Sequence, residues 1–164
     1  MTIFVKNKHT LQIDEFKFRC CIGKKGITSN KIEGDKKTPK GTFEIGNLYF
    51  RKDRKEKPLT LLKCIEIKKD MGWCNDSSFP KKYNKLFKIQ KKIKHEKLKR
   101  KDYKYDLLVP IKYNFKSPIT GRGSCIFIHL TKDYKPTAGC IALKEKDFLI
   151  MIKLIKRNTK IKII

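Results

Sequence analysis

The sequence predicts one β-rich α+β domain spanning residues 1–164, mainly β, with one or two helices packed on it. Three observations lead there. Apolar residues recur in short runs of strand length, separated by clusters of Gly, Pro, Asn, Asp and Thr that punctuate turns. Only Lys144–Arg157 carries a clear helical stripe. No repeat, low-complexity linker or break in composition divides the chain, and its 164 residues suit a single domain.

Each element follows from local pattern. Thr2–Val5, Thr10–Ile13 and Phe16–Ile22 read as three strands separated by polar turns. Lys24–Gly41, rich in Gly, Lys, Asp, Thr and Pro, reads as a long loop or pair of turns. Thr42–Tyr49 and Leu59–Ile67 read as further strands, and Asp70–Asn84 as an ordered loop that fits neither period. In the very basic Lys85–Tyr103, Leu86, Ile89, Ile93 and Leu98 form a weak helical stripe, which predicts an amphipathic surface helix. Tyr105–Tyr113 reads as a strand, Pro118–Gly123 as a turn, and Ser124–Leu130 as a dense apolar strand ending near His129. A loop over Thr131–Ala138 leads to Gly139–Leu143. Phe148, Leu149, Ile152 and Ile155 then mark the face of a helix, and Lys160–Ile164 closes the chain as a strand.

Lys+Arg number 42 against 16 Asp+Glu, a formal charge of +26. Nearly all of the excess is lysine, isoleucine is abundant, and alanine occurs only at Ala138 and Ala142. That combination is the mark of AT-rich coding, so the charge reads as a solvated surface. Its field attracts anionic ligands, but nucleic acid is not an expected partner. The rival from another class is a basic nucleic-acid-binding module with a structural Cys and His, which steep salt dependence of binding would identify. No apolar run approaches the ~18 residues of a membrane span. Lys6, Lys8 and His9 interrupt the N-terminal apolar run at once, unlike a secretory signal. The chain as given is therefore expected in the cytoplasm, or in the periplasm if an export signal is missing from it. The six cysteines form no C-x-x-C pair, so a structural zinc site is not expected, and free thiols suit a reducing compartment.

The segment Gly121–Leu143, GRGSCIFIHLTKDYKPTAGCIAL, carries the chemistry. It sets His129 at the end of an apolar strand and Cys140 directly after Gly139. Thiol catalysis needs a thiolate and a base that makes it and later protonates the leaving group. Cys140 and His129 supply both if their strands are neighbours. Gly139 lets a carbonyl approach the backbone, and the amides of Gly139 and Cys140 are candidates for an oxyanion hole. The positive field and the histidine together predict a Cys140 pKa below the ~8.5 of a free thiol.

These residues resemble the YkuD-type L,D-transpeptidase catalytic domain, whose pattern is a His, a variable loop and then Ser/Thr-x-Gly-Cys. Here that pattern is His129 followed by Thr137-Ala138-Gly139-Cys140. The resemblance is to a compact subgroup with GS-x-IF-x-H and PTAGC motifs, and it covers roughly residues 18–145. It includes Gly23–Gly26, Lys31–Asp35, Thr38–Phe43, Trp73–Asp76, Tyr83-Asn84, the stretch His95–Asp106 and Tyr113-Asn114. Many family members carry His before the Gly-Cys and Arg or Asn two residues after the Cys. Here those positions are Ala138 and Ala142, leaving Arg122, Lys135 or Arg100 to take the second role.

The resemblance implies a bent sheet or sandwich and acyl transfer on the stem peptide of peptidoglycan, with no cofactor. Cys140 would attack the carbonyl before a terminal D-alanine, with His129 as base and Gly139 at the oxyanion. Arg122, Ser124, Thr137, Trp73, Asn75, Asp76 and Arg100 are the expected substrate-binding residues. The thioester would pass to a stem amine, a free D-amino acid or water, on polymeric peptidoglycan or a soluble muropeptide. With water alone the protein would be an L,D-carboxypeptidase of muropeptide recycling. Carbapenems, which acylate this family's nucleophile, are the expected inhibitors.

Overall fold

A computed structural model describes residues 1–164 as fifteen short strands and one helix. The first three strands, β1 (Thr2–Lys6), β2 (Thr10–Ile13) and β3 (Phe16–Cys21), form an antiparallel meander. The closing strand β15 (Lys160–Ile163) lies parallel to β1, and β6 (Gly41–Glu44) pairs with its outer side. On the other flank of β3 come β14 (Ile141–Leu143), β13 (Phe127–Leu130), β12 (Leu107–Pro110), β7 (Leu48–Phe50) and β8 (Cys64–Glu66).

This sheet curls on itself. β6 and β7 stand near opposite ends of the strand order, yet only Ile45–Asn47 joins them. The ends meet because Ile45 bridges Ile111 and the Lys112 amide donates to the Glu44 carbonyl at 2.8 Å. The predicted single strand Thr42–Tyr49 is thus two strands at distant places in the sheet.

Alternation along the strands builds two cores, one on each face. Ile128 and Leu130 of β13, Leu107 and Val109 of β12, and Ile141 and Leu143 of β14 point into the main core. The helix α1 (Glu145–Leu154) covers that core with Phe148, Met151 and Ile152. Tyr49, Leu108, Phe127 and Cys140 point to the opposite face, where Trp73, Leu98 and Tyr105 meet them. That second layer includes a small sheet in which β9 (Met71–Cys74) is flanked by β10 (Leu86–Lys88) and β11 (His95–Lys97).

The small sheet corrects the helix expected over Lys85–Tyr103. Leu86 is exposed while Ile93 and Leu98 are buried, so the apolar residues do not share one helical face. Both strands pair with β9 instead, and Gly72 makes that pairing close. A Cβ at Gly72 would sit 3.0–3.2 Å from Ile89, His95 and Phe87, whose side chains fold over the bare backbone. Asp70–Asn84, expected as loop throughout, begins with β9. Of Leu59–Ile67 only β8 is strand, and Leu59 and Leu61 face solvent. The long loop after β3 holds one short parallel pair, β4 (Ile27–Thr28) with β5 (Thr38–Pro39). One helix forms, and it is neither long nor apolar enough to cross a membrane.

Candidate active site

Strands β13 and β14 run parallel and adjacent, with Ile128 opposite Ile141 and His129 opposite Ala142. Cys140 immediately precedes β14, two residues before Ala142, and so projects to the same face as His129. Ala142 ends at its Cβ and leaves a gap between thiol and imidazole. All three residues line a cleft of about 580 Å³.

The turn before Cys140 is held from both sides. Thr137 Oγ1 donates to the Cys140 carbonyl at 2.6 Å and accepts the Gly139 amide at 3.1 Å. Thr38 Oγ1 donates to the Gly139 carbonyl at 2.8 Å. Gly139 has φ +145°, and a Cβ there would lie 2.9 Å from the Lys37 carbonyl oxygen, so only glycine fits. The Gly139 amide, expected at the oxyanion, is engaged by Thr137 Oγ1 in this structure. The Cys140 amide has no acceptor within the protein.

Cys140 is buried, with its Sγ 3.4 Å from the Phe127 amide that donates to it and 3.2 Å from the Cys125 carbonyl that accepts its proton. Cys125 aims that carbonyl from a left-handed backbone, φ 56°. Burial pushes the Cys140 thiol up to about 12, and the Phe127 amide offsets only part of that. The expected depressed pKa is therefore corrected. Desolvation of the thiolate outweighs the distant positive field, and no cation pairs with the sulfur.

His129 is equally buried, and its Nδ1 lies 2.9 Å from the Leu130 carbonyl. A carbonyl only accepts, so Nδ1 carries the proton and Nε2 keeps a lone pair. Burial drives its pKa down to about 4, the Leu130 carbonyl works against that, and Lys104 and Arg100 add to it. The ring packs edge-on against Tyr105, centroids 5.4 Å apart. At neutral pH the resting pair is a neutral thiol and a neutral imidazole with an unprotonated Nε2.

Of the expected binding residues, Ser124, Thr137, Asn75 and Arg100 line the cleft. Trp73, Asp76 and Arg122 do not. Trp73 is a core anchor whose indole N–H donates to Asn84 at 2.9 Å. Asp76 accepts the amides of Ser78 and Lys94, both at 3.0 Å, and so organises a turn. Arg122 is exposed and donates to Asn30 at 2.7 Å. Arg100 is committed to Asp102 through two hydrogen bonds of 2.9 and 2.6 Å, holding that carboxyl at about 2. Of the three cations expected to take the role of the missing arginine, Arg100 and Lys135 reach the cleft.

Other residues that contribute to the cleft lay outside the expected set. Glu33 and Tyr105 both line the cleft. Tyr83 and Asn84 support it from behind. Asn84 is 3% exposed and has φ 54°. Its Oδ1 accepts the Trp73 indole at 2.9 Å and the Cys125 amide at 3.1 Å, while its Nδ2 donates to the Tyr113 and Asn114 carbonyls at 3.0 and 2.7 Å. Asn84 thus ties the small sheet to the segment before β13 that presents the thiol's acceptor. The only sequence signal for Glu33, Tyr83 and Asn84 was their place in motifs flanking the Cys/His segment.

Comparison with known proteins agrees with this architecture. The crystal structures of the helical cell shape determining protein Pgp2 from Campylobacter jejuni and of its K307A mutant superpose with TM-scores of 0.53 and 0.51, each at 17% identity. Each comparison covers 99% of this chain but 46% of the other, so the chain spans just under half the length of these neighbours. At that identity the likeness is one of fold. No curated protein matches the sequence. The family model for the YkuD L,D-transpeptidase catalytic domain matches residues 1–163, and the chain belongs to that family.

Proposed function

We propose that this domain is a cysteine acyltransferase acting on peptidoglycan stem peptides, with Cys140 as nucleophile and His129 as base. The observation that carries the reading is the facing of Cys140 and His129 across Ala142 in one cleft. A substrate carbonyl entering that gap meets the sulfur, the Nε2 lone pair and the unengaged Cys140 amide. The thiol proton passes to Nε2 as sulfur bonds to the carbonyl carbon, and the Cys140 amide takes the developing oxyanion. The imidazolium returns the proton to the departing D-alanine amine as the C–N bond breaks, leaving a thioester. A stem amine, a D-amino acid or water then attacks the thioester, giving a cross-link, exchange or L,D-carboxypeptidation, and the Cys140 thiol is regenerated.

The test is incubation with a disaccharide-tetrapeptide, with and without a D-amino acid, and identification of products by mass. Release of D-alanine that Cys140→Ala abolishes is the expected result. An exchanged product identifies the amine acceptor, and a tripeptide identifies water. Release that persists in Cys140→Ala overturns the assignment.

A further inference from the structure

The carboxylate of Glu33 is held at the cleft wall in an unbalanced way. Tyr83, fully buried, donates its hydroxyl to Oε2, and Ser124 donates to the same oxygen at 2.6 Å. Oε1 receives no hydrogen bond from the protein. The chain has 42 Lys and Arg residues, yet none of its ion pairs includes Glu33. The nearest candidate in sequence, Lys31, is spent on Asp35 at 2.5 Å and the Ile32 carbonyl at 2.9 Å. A second acceptor that lines the cleft, Asn75 Oδ1, is buried with no partner. Two oriented acceptors without donors, one of them charged, mark a place for a cationic N–H donor to bind.

The place is close to the chemistry. Ser124, which holds Glu33, directly precedes Cys125, whose carbonyl accepts a hydrogen bond from the Cys140 thiol. Bracing alone would account for Oε2, but it leaves Oε1 and Asn75 unexplained.

We propose that Glu33 is a specificity-determining residue that binds a primary ammonium group of the substrates through Oε1, with Asn75 Oδ1 as a second acceptor. The inference rests on the acyl-transfer reading above. Two sources fit the chemistry: the side-chain amine of a diamino acid whose carbonyl Cys140 attacks, or the α-amine of an incoming D-amino acid before it loses its proton.

The experiment compares wild type with Glu33→Gln on two donors, a tetrapeptide with a free side-chain amine at its third residue and the same peptide N-acetylated there. D-Alanine release gives kcat/KM, and exchange of a labelled D-amino acid gives the acceptor KM. If the donor amine is bound, wild type prefers the free amine by about ten- to hundredfold, and Glu33→Gln loses that preference while matching wild type on the acetylated donor. If the acceptor amine is bound, wild type shows no donor preference, and Glu33→Gln raises the acceptor KM by about tenfold or more without slowing hydrolysis. Should Glu33→Gln not fold, Glu33→Asp, which withdraws the carboxylate by one methylene, is read the same way. A variant that slows both donors equally, with the acceptor KM unchanged, overturns the proposal and leaves Glu33 as a brace. Wild type that turns over neither donor overturns the acyl-transfer reading and this one together.

Discussion

Cys140 directs its Sγ–H at the carbonyl oxygen of Cys125, 3.2 Å away. The resting thiol is therefore a satisfied buried group that shares no hydrogen bond with His129. In the proposed mechanism a substrate carbonyl enters over Ala142 and proton transfer to His129 follows its arrival.

Thiol reactivity is expected to run against simple motif logic. Five cysteines are buried and Cys64 alone is half-exposed, so a small alkylating reagent labels Cys64 first. Labelling of Cys140 is slow at pH 7 and keeps rising through pH 10, because burial holds its thiol near 12. Peptide mapping after timed labelling checks this. Fast labelling of Cys140 with a plateau below pH 8 contradicts the burial argument. A carbapenem, which acylates through the cleft, modifies Cys140 but not Cys64.

Kinetics separate the partners. His129→Asn is expected to lose at least ~10²-fold in kcat/KM while folding normally. The acid limb of kcat/KM in wild type falls near 4, where the free-enzyme imidazole titrates, rather than near 6.5. A limb at 6.5 means that His129 is solvated in the working enzyme. Ala142→Leu fills the gap and suppresses turnover whatever its effect on stability.

Acid lability carries the mark of the same histidine. Its folded pKa, about 4, lies below the ordinary imidazole value of 6.5, so the unfolded chain binds the proton more readily. Stability contributed by neutral His129 is complete above 6.5 and is lost as pH falls from there toward 4. Linkage puts the loss between pH 7.5 and 5 at roughly 2 kcal/mol. Urea unfolding at both pH values measures it, and His129→Gln removes that share of the pH dependence. An unchanged dependence in the variant assigns the acid lability elsewhere.

Asn84 is the predicted weak point of the scaffold. Asn84→Ala leaves the Trp73 indole, the Cys125 amide and two carbonyls without partners and puts a Cβ-bearing residue with no local hydrogen bonding in a left-handed conformation. The cost is about 3–5 kcal/mol. Asn84→Asp is at least as harmful, since a carboxylate faces two carbonyl oxygens. Chemical denaturation checks both, and a loss under 1 kcal/mol in either refutes the clamp.

The sequence by itself determined the meander at the start and the helix after Leu143, and it singled out Cys140 and His129 as candidates whose adjacency the fold supplied. Each depends on patterns within a few residues or on one short segment, where strand period, glycine and the order of chemical groups are all local. Lys85–Tyr103 was misread because its pairing partner, β9 with Gly72, lies elsewhere in the chain, and a weak stripe among lysines cannot reveal a neighbour's missing side chain. Tertiary structure decided the protonation of the site, since burial sets the direction of both pKa shifts and no motif encodes burial. It also decided which polar groups share the cleft: Glu33 meets Ser124 across 91 residues of chain, whereas Trp73, Asp76 and Arg122, near site residues in sequence, turn to other partners. Curling of the sheet makes those distant contacts, and a hydrogen bond depends on distance in space rather than along the chain.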